Sequence, residues 1–288
     1  MKKREGMNPV RGREGSQRPS ASNGMKIGIF DSGLGGLIVT RSIVKAMPEY
    51  DYVYLGDTKR VPYGNRSHDA VFEFTRECVD YLFRKENCAI VVVACNTASA
   101  RALRRIQQEY LPKNFPERKV LGVLIPAAEE CVKFKRIGVL GTAGTVASNT
   151  FLREILKLNK KVRIFQNAAP MLVPLAEEGE EKNVAPFIKK YLQPFLNKKL
   201  DVLVLGCTHY PLFKSQIKKL LPGGVKIISQ DEIIPRKLKD YLIRHTEIRA
   251  RLSQKGTRKI LVTDITKNVE KLSQKWFGPK AKPKLVEV

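Results

Sequence analysis

Ala89-Ile90-Val91-Val92-Val93-Ala94-Cys95-Asn96-Thr97 and Val202-Leu203-Val204-Leu205-Gly206-Cys207-Thr208-His209 are two versions of one phrase: an apolar run, then a cysteine, then hydroxyl- and amide-bearing residues. The runs are too short for membrane spans and rich in valine, which predicts buried strands. Upstream, each phrase has a matching opening: Ile27-Gly-Ile-Phe-Asp-Ser-Gly lies 68 residues before Cys95, and Ile137-Gly-Val-Leu-Gly-Thr-Ala-Gly lies 70 residues before Cys207. A repeat of this length means a duplicated lobe and not a solenoid.

Further apolar runs support the same plan. Strands are expected at Lys26–Phe30, Tyr52–Leu55, Ala89–Ala94, Val120–Ile125, Arg136–Leu140, Val162–Phe165, Val202–Leu205, Val225–Ile228 and Lys259–Val262, with helical patterns such as Asp69–Phe83 and Ala185–Leu196 between them. Alternating strands and helices predict βαβ units and mainly parallel sheets. The expected fold is α/β: two similar, pseudo-twofold-related lobes with the active site in the cleft between them. One lobe is drawn as residues 25–118 plus 234–288, the other as 119–233. Residues 1–24, rich in Arg, Gly, Ser, Asn and Pro, are expected to be a disordered basic extension. Ligands in such sheets bind at the carboxyl ends of the strands, which is where both cysteines fall.

Composition narrows the function. The 288 residues are 43% hydrophobic, enough for a packed core. The longest apolar run, Cys88 to Cys95, is far short of the roughly 20 residues of a membrane helix, and the amino-terminal stretch has no apolar signal core. Five cysteines at 78, 88, 95, 131 and 207 form no regular framework, so reduced thiols in the cytoplasm are expected. With 53 Lys+Arg against 28 Asp+Glu the net charge is +25. Such a surface attracts polyanions, but with no nucleic-acid module present it reads as a lysine-rich solvated surface, and nucleic acid is not an expected partner. The three histidines, His68, His209 and His245, have no zinc spacing with the cysteines, so no metal is expected.

Four segments carry candidate chemistry. Asp31-Ser32-Gly33-Leu34-Gly35-Gly36 follows the first strand, and its spacing is not that of a dinucleotide loop. Its glycines serve either the turn alone or a bound ligand. Asp31 with backbone N–H donors suits an amino acid's ammonium and carboxylate better than a phosphate. The second and third segments are the cysteine phrases. One cysteine after a strand is ordinarily a small buried hydrophobe; two at matching places are candidate acid–base thiols, expected to be activated by a following helix N-terminus. His209 is close enough in sequence to assist Cys207. The fourth segment, Gly56-Asp57-Thr58 with Val61-Pro62-Tyr63-Gly64-Asn65, lines the same edge. Glu177 and Glu178, taken alone, read as a solvated helix end.

Together these phrases, with Gly141-Thr-Ala-Gly-Thr and Val173-Pro-Leu-Ala-Glu-Glu-Gly, resemble the glutamate racemase family of cofactor-independent racemases over about Met25 to Phe277. Three departures stand out: Asn167-Ala-Ala-Pro in place of a cysteine-proline phrase, Ser229-Gln-Asp-Glu after Ile228, and the basic extension. The resemblance implies interconversion of L- and D-glutamate without cofactor, supply of D-glutamate for peptidoglycan, and a homodimer. It implies Cys95 acting on the D-isomer with Asp31, and Cys207 on the L-isomer with His209 and Glu177. Ser32, Asn96, Thr97 and Thr208 would hold substrate, with Tyr63, Gly64 and Asn65 near it. A relative acting on aspartate, hydantoins or malonates would share the cysteines but not both full phrases. A nucleic-acid-binding protein on a retired enzyme fold would ordinarily have lost a thiol.

Overall fold

The computed structural model describes residues 24–180 and 182–288. Among the described residues ten strands form two sheets. They are β1 (Lys26–Asp31), β2 (Tyr52–Gly56), β3 (Cys88–Val93), β4 (Lys119–Gly122), β5 (Arg136–Gly141), β6 (Arg163–Ala168), β7 (Val202–Gly206), β8 (Lys226–Ile228), β9 (Arg258–Val262) and β10 (Pro283–Leu285). The first sheet has the order β10-β9-β2-β1-β3-β4 and the second β6-β5-β7-β8. Every pairing is parallel. The sequence β2-β1-β3-β4 therefore recurs as β6-β5-β7-β8, so the duplication read from the two cysteine phrases is a duplication of strand order. β9 and β10 extend the first sheet alone.

β1, β2, β3, β5 and β7 are buried almost throughout. Strands covered by helices on both faces read as continuous apolar runs, which is why valine and isoleucine were enough to locate them. The expected helix at Asp69–Phe83 spans His68–Arg84, started by Ser67, whose hydroxyl accepts from the Ala70 N–H at 3.2 Å. The helix Ala185–Leu196 has the expected bounds.

Three expectations are corrected. The run Val120–Ile125 is not one strand: it stops at Gly122, and Leu124 opens the helix Leu124–Cys131. Pro126 sits in that helix's first turn, where a missing N–H leaves no bond unmade. β4 pairs with β3, so residues 119–122 belong to the first sheet and not to the second lobe as drawn. The boundary at 234 falls inside one continuous helix, Gln230–Arg244, which packs on the first-lobe helix Gly36–Ala46. β10 had no expectation attached. The proposed disordered extension lies outside the described residues, apart from Gly24.

Candidate active site

A cavity of about 410 Å³ lies at the carboxyl ends of the central strands. Two turns build one side. β1 ends in Asp31, 1% exposed, whose Oδ2 accepts from the Gly33 N–H at 3.1 Å while Oδ1 has no partner. β3 ends at Val93, and Cys95 caps the helix Asn96–Arg101, its Sγ accepting from the Ala98 N–H at 3.4 Å and lying 3.3 Å from the Ser32 hydroxyl. Burial pushes the Cys95 thiol up to about 12 and the Asp31 charge adds to this, outweighing Ser32 and the Ala98 N–H. Burial also raises the Asp31 carboxyl above its ordinary value, against the opposing pull of His209 and two backbone N–H groups. The helix N-terminus acts on Cys95 in the expected direction, through the Ala98 N–H, without deciding the outcome. At Cys95 burial outweighs the cap, and past Cys207 comes only the short 3₁₀ turn Tyr210–Phe213.

The other side is built by β7. Cys207 follows Gly206, and its Sγ lies 3.7 Å from His209 Nδ1, while His209 Nε2 lies 3.0 Å from Glu177 Oε1. Burial disfavours a charged ring, but Cys207 and Glu177 outweigh it and raise His209 to about 10. The ring is held on two flanks. Trp276 meets it edge-to-face with centroids 5.4 Å apart, and a Cβ at Gly35 would stand 2.5 Å from its Cε1 and Nδ1. Of the adjacent acids it is Glu177 that meets His209; Glu178 ends the helix Leu172–Glu177 and does not line the cavity.

Ser32, Tyr63, Gly64, Asn65, Asn96, Thr97 and Thr208 line the cavity with both cysteines, Glu177 and His209; Asp31 stands behind Ser32. Tyr63 donates its hydroxyl to buried Asp57, which also accepts from Arg60 Nε at 2.6 Å and Thr263 Oγ1 at 2.8 Å. That network fixes the Tyr63–Asn65 turn as a wall. Sequence reasoning missed Thr142, whose hydroxyl lies 2.9 Å from Thr97 Oγ1 and ties the two lobes, and the apolar rim of Pro170, Met171, Val173 and Pro174. The repeat held the signal for Thr142: Gly141-Thr142 ends β5 as Asp31-Ser32 ends β1. Among the described residues no three His, Cys, Asp or Glu side chains are grouped to hold a metal ion.

The Asp/Glu/hydantoin racemase profile matches residues 27–233, and the chain belongs to that family. It is an amino-acid racemase, an isomerase. Relatives within the family include glutamate racemases: the protein of that name from Sulfurihydrogenibium sp. (strain YO3AOP1) is 42% identical over 259 residues, covering 88% of this chain and 94% of the relative. A glutamate racemase isoform from Bacillus anthracis superposes with a TM-score of 0.83 at 33% identity, covering 92% of this chain and 98% of that one. The Francisella tularensis glutamate racemase, solved in complex with D-glutamate, gives 0.82 at 28% identity with the same coverage.

Proposed function

We propose that the protein interconverts L- and D-glutamate by transferring the Cα proton between two cysteine bases. The observation that carries this reading is the presence of two thiols, from equivalent strand ends of duplicated sheets, on one cavity of about 410 Å³ with different proton partners. With L-glutamate, the Cys207 thiolate takes the Cα proton. The electron pair left on Cα delocalises into the carboxylate, and the Cys95 thiol returns a proton to the opposite face. The enzyme is left with a Cys207 thiol and a Cys95 thiolate, the form that accepts D-glutamate, and proton exchange with solvent resets it. Two bases remove any need for the substrate to turn over, and thiols serve as both acid and base near neutral pH.

Asp31 serves Cys95, and His209 with Glu177 serves Cys207. Ser32, Asn96, Thr97 and Thr208 offer donors to the substrate's carboxylate and acceptors to its ammonium, and fixed donors matter most where the enolate charge develops. Tyr63, Gly64 and Asn65 close one wall. The two lobes supply one thiol each. No cofactor enters these steps. The reading extends to a cytoplasmic homodimer supplying D-glutamate for peptidoglycan. Polarimetry of either pure enantiomer with purified, chelator-treated protein tests it: decay to the racemate is expected, and a rotation that stays constant overturns it.

A further inference from the structure

Where β8 ends and the chain crosses back to the first lobe, Ser229 and Gln230 are both fully buried. Gln230 Nε2 donates to Asn96 Oδ1 at 3.0 Å. Asn96 follows Cys95 directly, lines the cavity and is 2% exposed. Its Nδ2 has no protein partner, and neither does Gln230 Oε1. A buried amide whose oxygen is already engaged has only its N–H donors left to give, and an amide is otherwise free to present either end. With Gln230 Nε2 on its oxygen, the NH₂ of Asn96 is the end left without a protein partner. Gln230 stands in the Ser229-Gln-Asp-Glu segment that departs from the family pattern, and none of the proton-transfer steps uses it.

We propose that Gln230 is a positioning residue: it holds the Asn96 amide with its NH₂ turned to the substrate's carboxylate, so that this chain reads the anionic end of its amino acid through a Gln–Asn relay. The inference rests on the two-cysteine glutamate reading. Leaving Gln230 Oε1 unpaired weakens the folded state, so a glutamine serving structure alone would be a poor choice at this position.

Because the two enantiomers are equal in free energy, kcat/KM is the same in both directions for every variant, and a binding defect must raise both KM values together. Gln230→Met keeps the side-chain length and removes the bond. The expected result is a rise in KM of roughly tenfold for both isomers, the worth of one hydrogen bond to a charged group, with kcat within about twofold and the melting temperature little changed. Gln230→Glu accepts from Asn96 Nδ2, turns the amide oxygen to the substrate and should raise KM further. In an Asn96→Ala background Gln230→Met should add nothing, since the two act as one unit. Unchanged KM in both Gln230 variants, or additive effects with Asn96→Ala, overturns the relay. Wild-type protein that fails to racemise glutamate overturns the substrate reading and takes the relay with it, so the two failures are told apart by the wild-type control.

Discussion

Cys95 and Cys207 stand at equivalent places past equivalent strands, β3 and β7, yet their neighbours differ in kind. Cys95 has a hydroxyl, one backbone N–H and a buried carboxyl behind them; burial and that carboxyl push the thiol up to about 12. Cys207 faces a histidine raised to about 10 and backed by Glu177. Near neutral pH one wall therefore offers a held proton and the other a cation beside sulfur. Duplication supplied two equivalent positions; the side chains around them place a hydroxyl and a backbone N–H beside one sulfur and a histidine–carboxylate pair beside the other. On the two-base reading proposed above, one thiol must be loaded while the other is empty at each turnover.

The most drastic way to break the comparison is to empty either wall. Cys95→Ser or Cys207→Ser should lower kcat/KM by on the order of 10²–10⁴-fold, the usual contribution of a positioned acid or base, equally in both directions. The walls separate in isotope effects. With Cα-deuterated L-glutamate the primary effect should grow when Cys207's partners are weakened, and with D-glutamate when Cys95's are. A Cys95→Ser protein with near-native rates would end the two-base reading.

A smaller effect sharpens the contrast. Glu177→Gln removes the carboxylate behind His209, so the ring's raised value should fall back toward 6.5. Trp276, the single tryptophan, reports on it edge-on. Its emission should titrate near pH 10 in the native protein and at lower pH in the variant, with kcat/KM reduced on the order of tenfold, about 1.4 kcal/mol of barrier. The sign for stability follows from a raised histidine: its contribution is complete below about 6.5 and is lost as pH rises through about 10. Melting temperatures should therefore drop across that window, and less so in Glu177→Gln; coincident profiles would detach Glu177 from the ring.

The smallest expected change concerns Asp31. Its carboxyl is raised by burial and its Oδ1 is unpartnered, so its ionised form destabilises the fold above the ordinary carboxylate range. Asp31→Asn should gain on the order of 1 kcal/mol in denaturant unfolding at pH 7 while lowering turnover. A loss of stability would mean that the ionised carboxylate is well accommodated beside Cys95.

Most of this was legible because parallel strands buried on both faces are written as plain apolar runs, and because the repeat put two cysteines in register. What escaped depended on contacts between distant segments. Pro283-Lys-Leu285 has neither the length nor the composition of a strand and becomes one only by adding to the edge of β9. Val120–Ile125 is apolar throughout, so nothing local shows that it bends into a helix after Gly122. Glu177 and Glu178 are indistinguishable by sequence; the turn of the helix Leu172–Glu177 decides which reaches His209. Gln230 and Trp276 touch site residues 134 and 67 positions away in the chain, and no periodicity carries that information.

The pairing of β2 with β9 also sets a timetable for biosynthesis. Asp51 accepts from the Thr257 N–H, and Asp57 from Thr263, each across 206 residues. At roughly 5–20 residues per second on the ribosome, one edge of β2 waits about 10–40 s for its neighbour, while the whole second sheet is being made. The wall that Asp57 anchors through Tyr63 is unfinished for the same interval. A nascent chain stalled after Cys207 but before β9 carries both cysteines yet exposes an open strand edge, the kind of surface that chaperones cover and that neighbouring chains join.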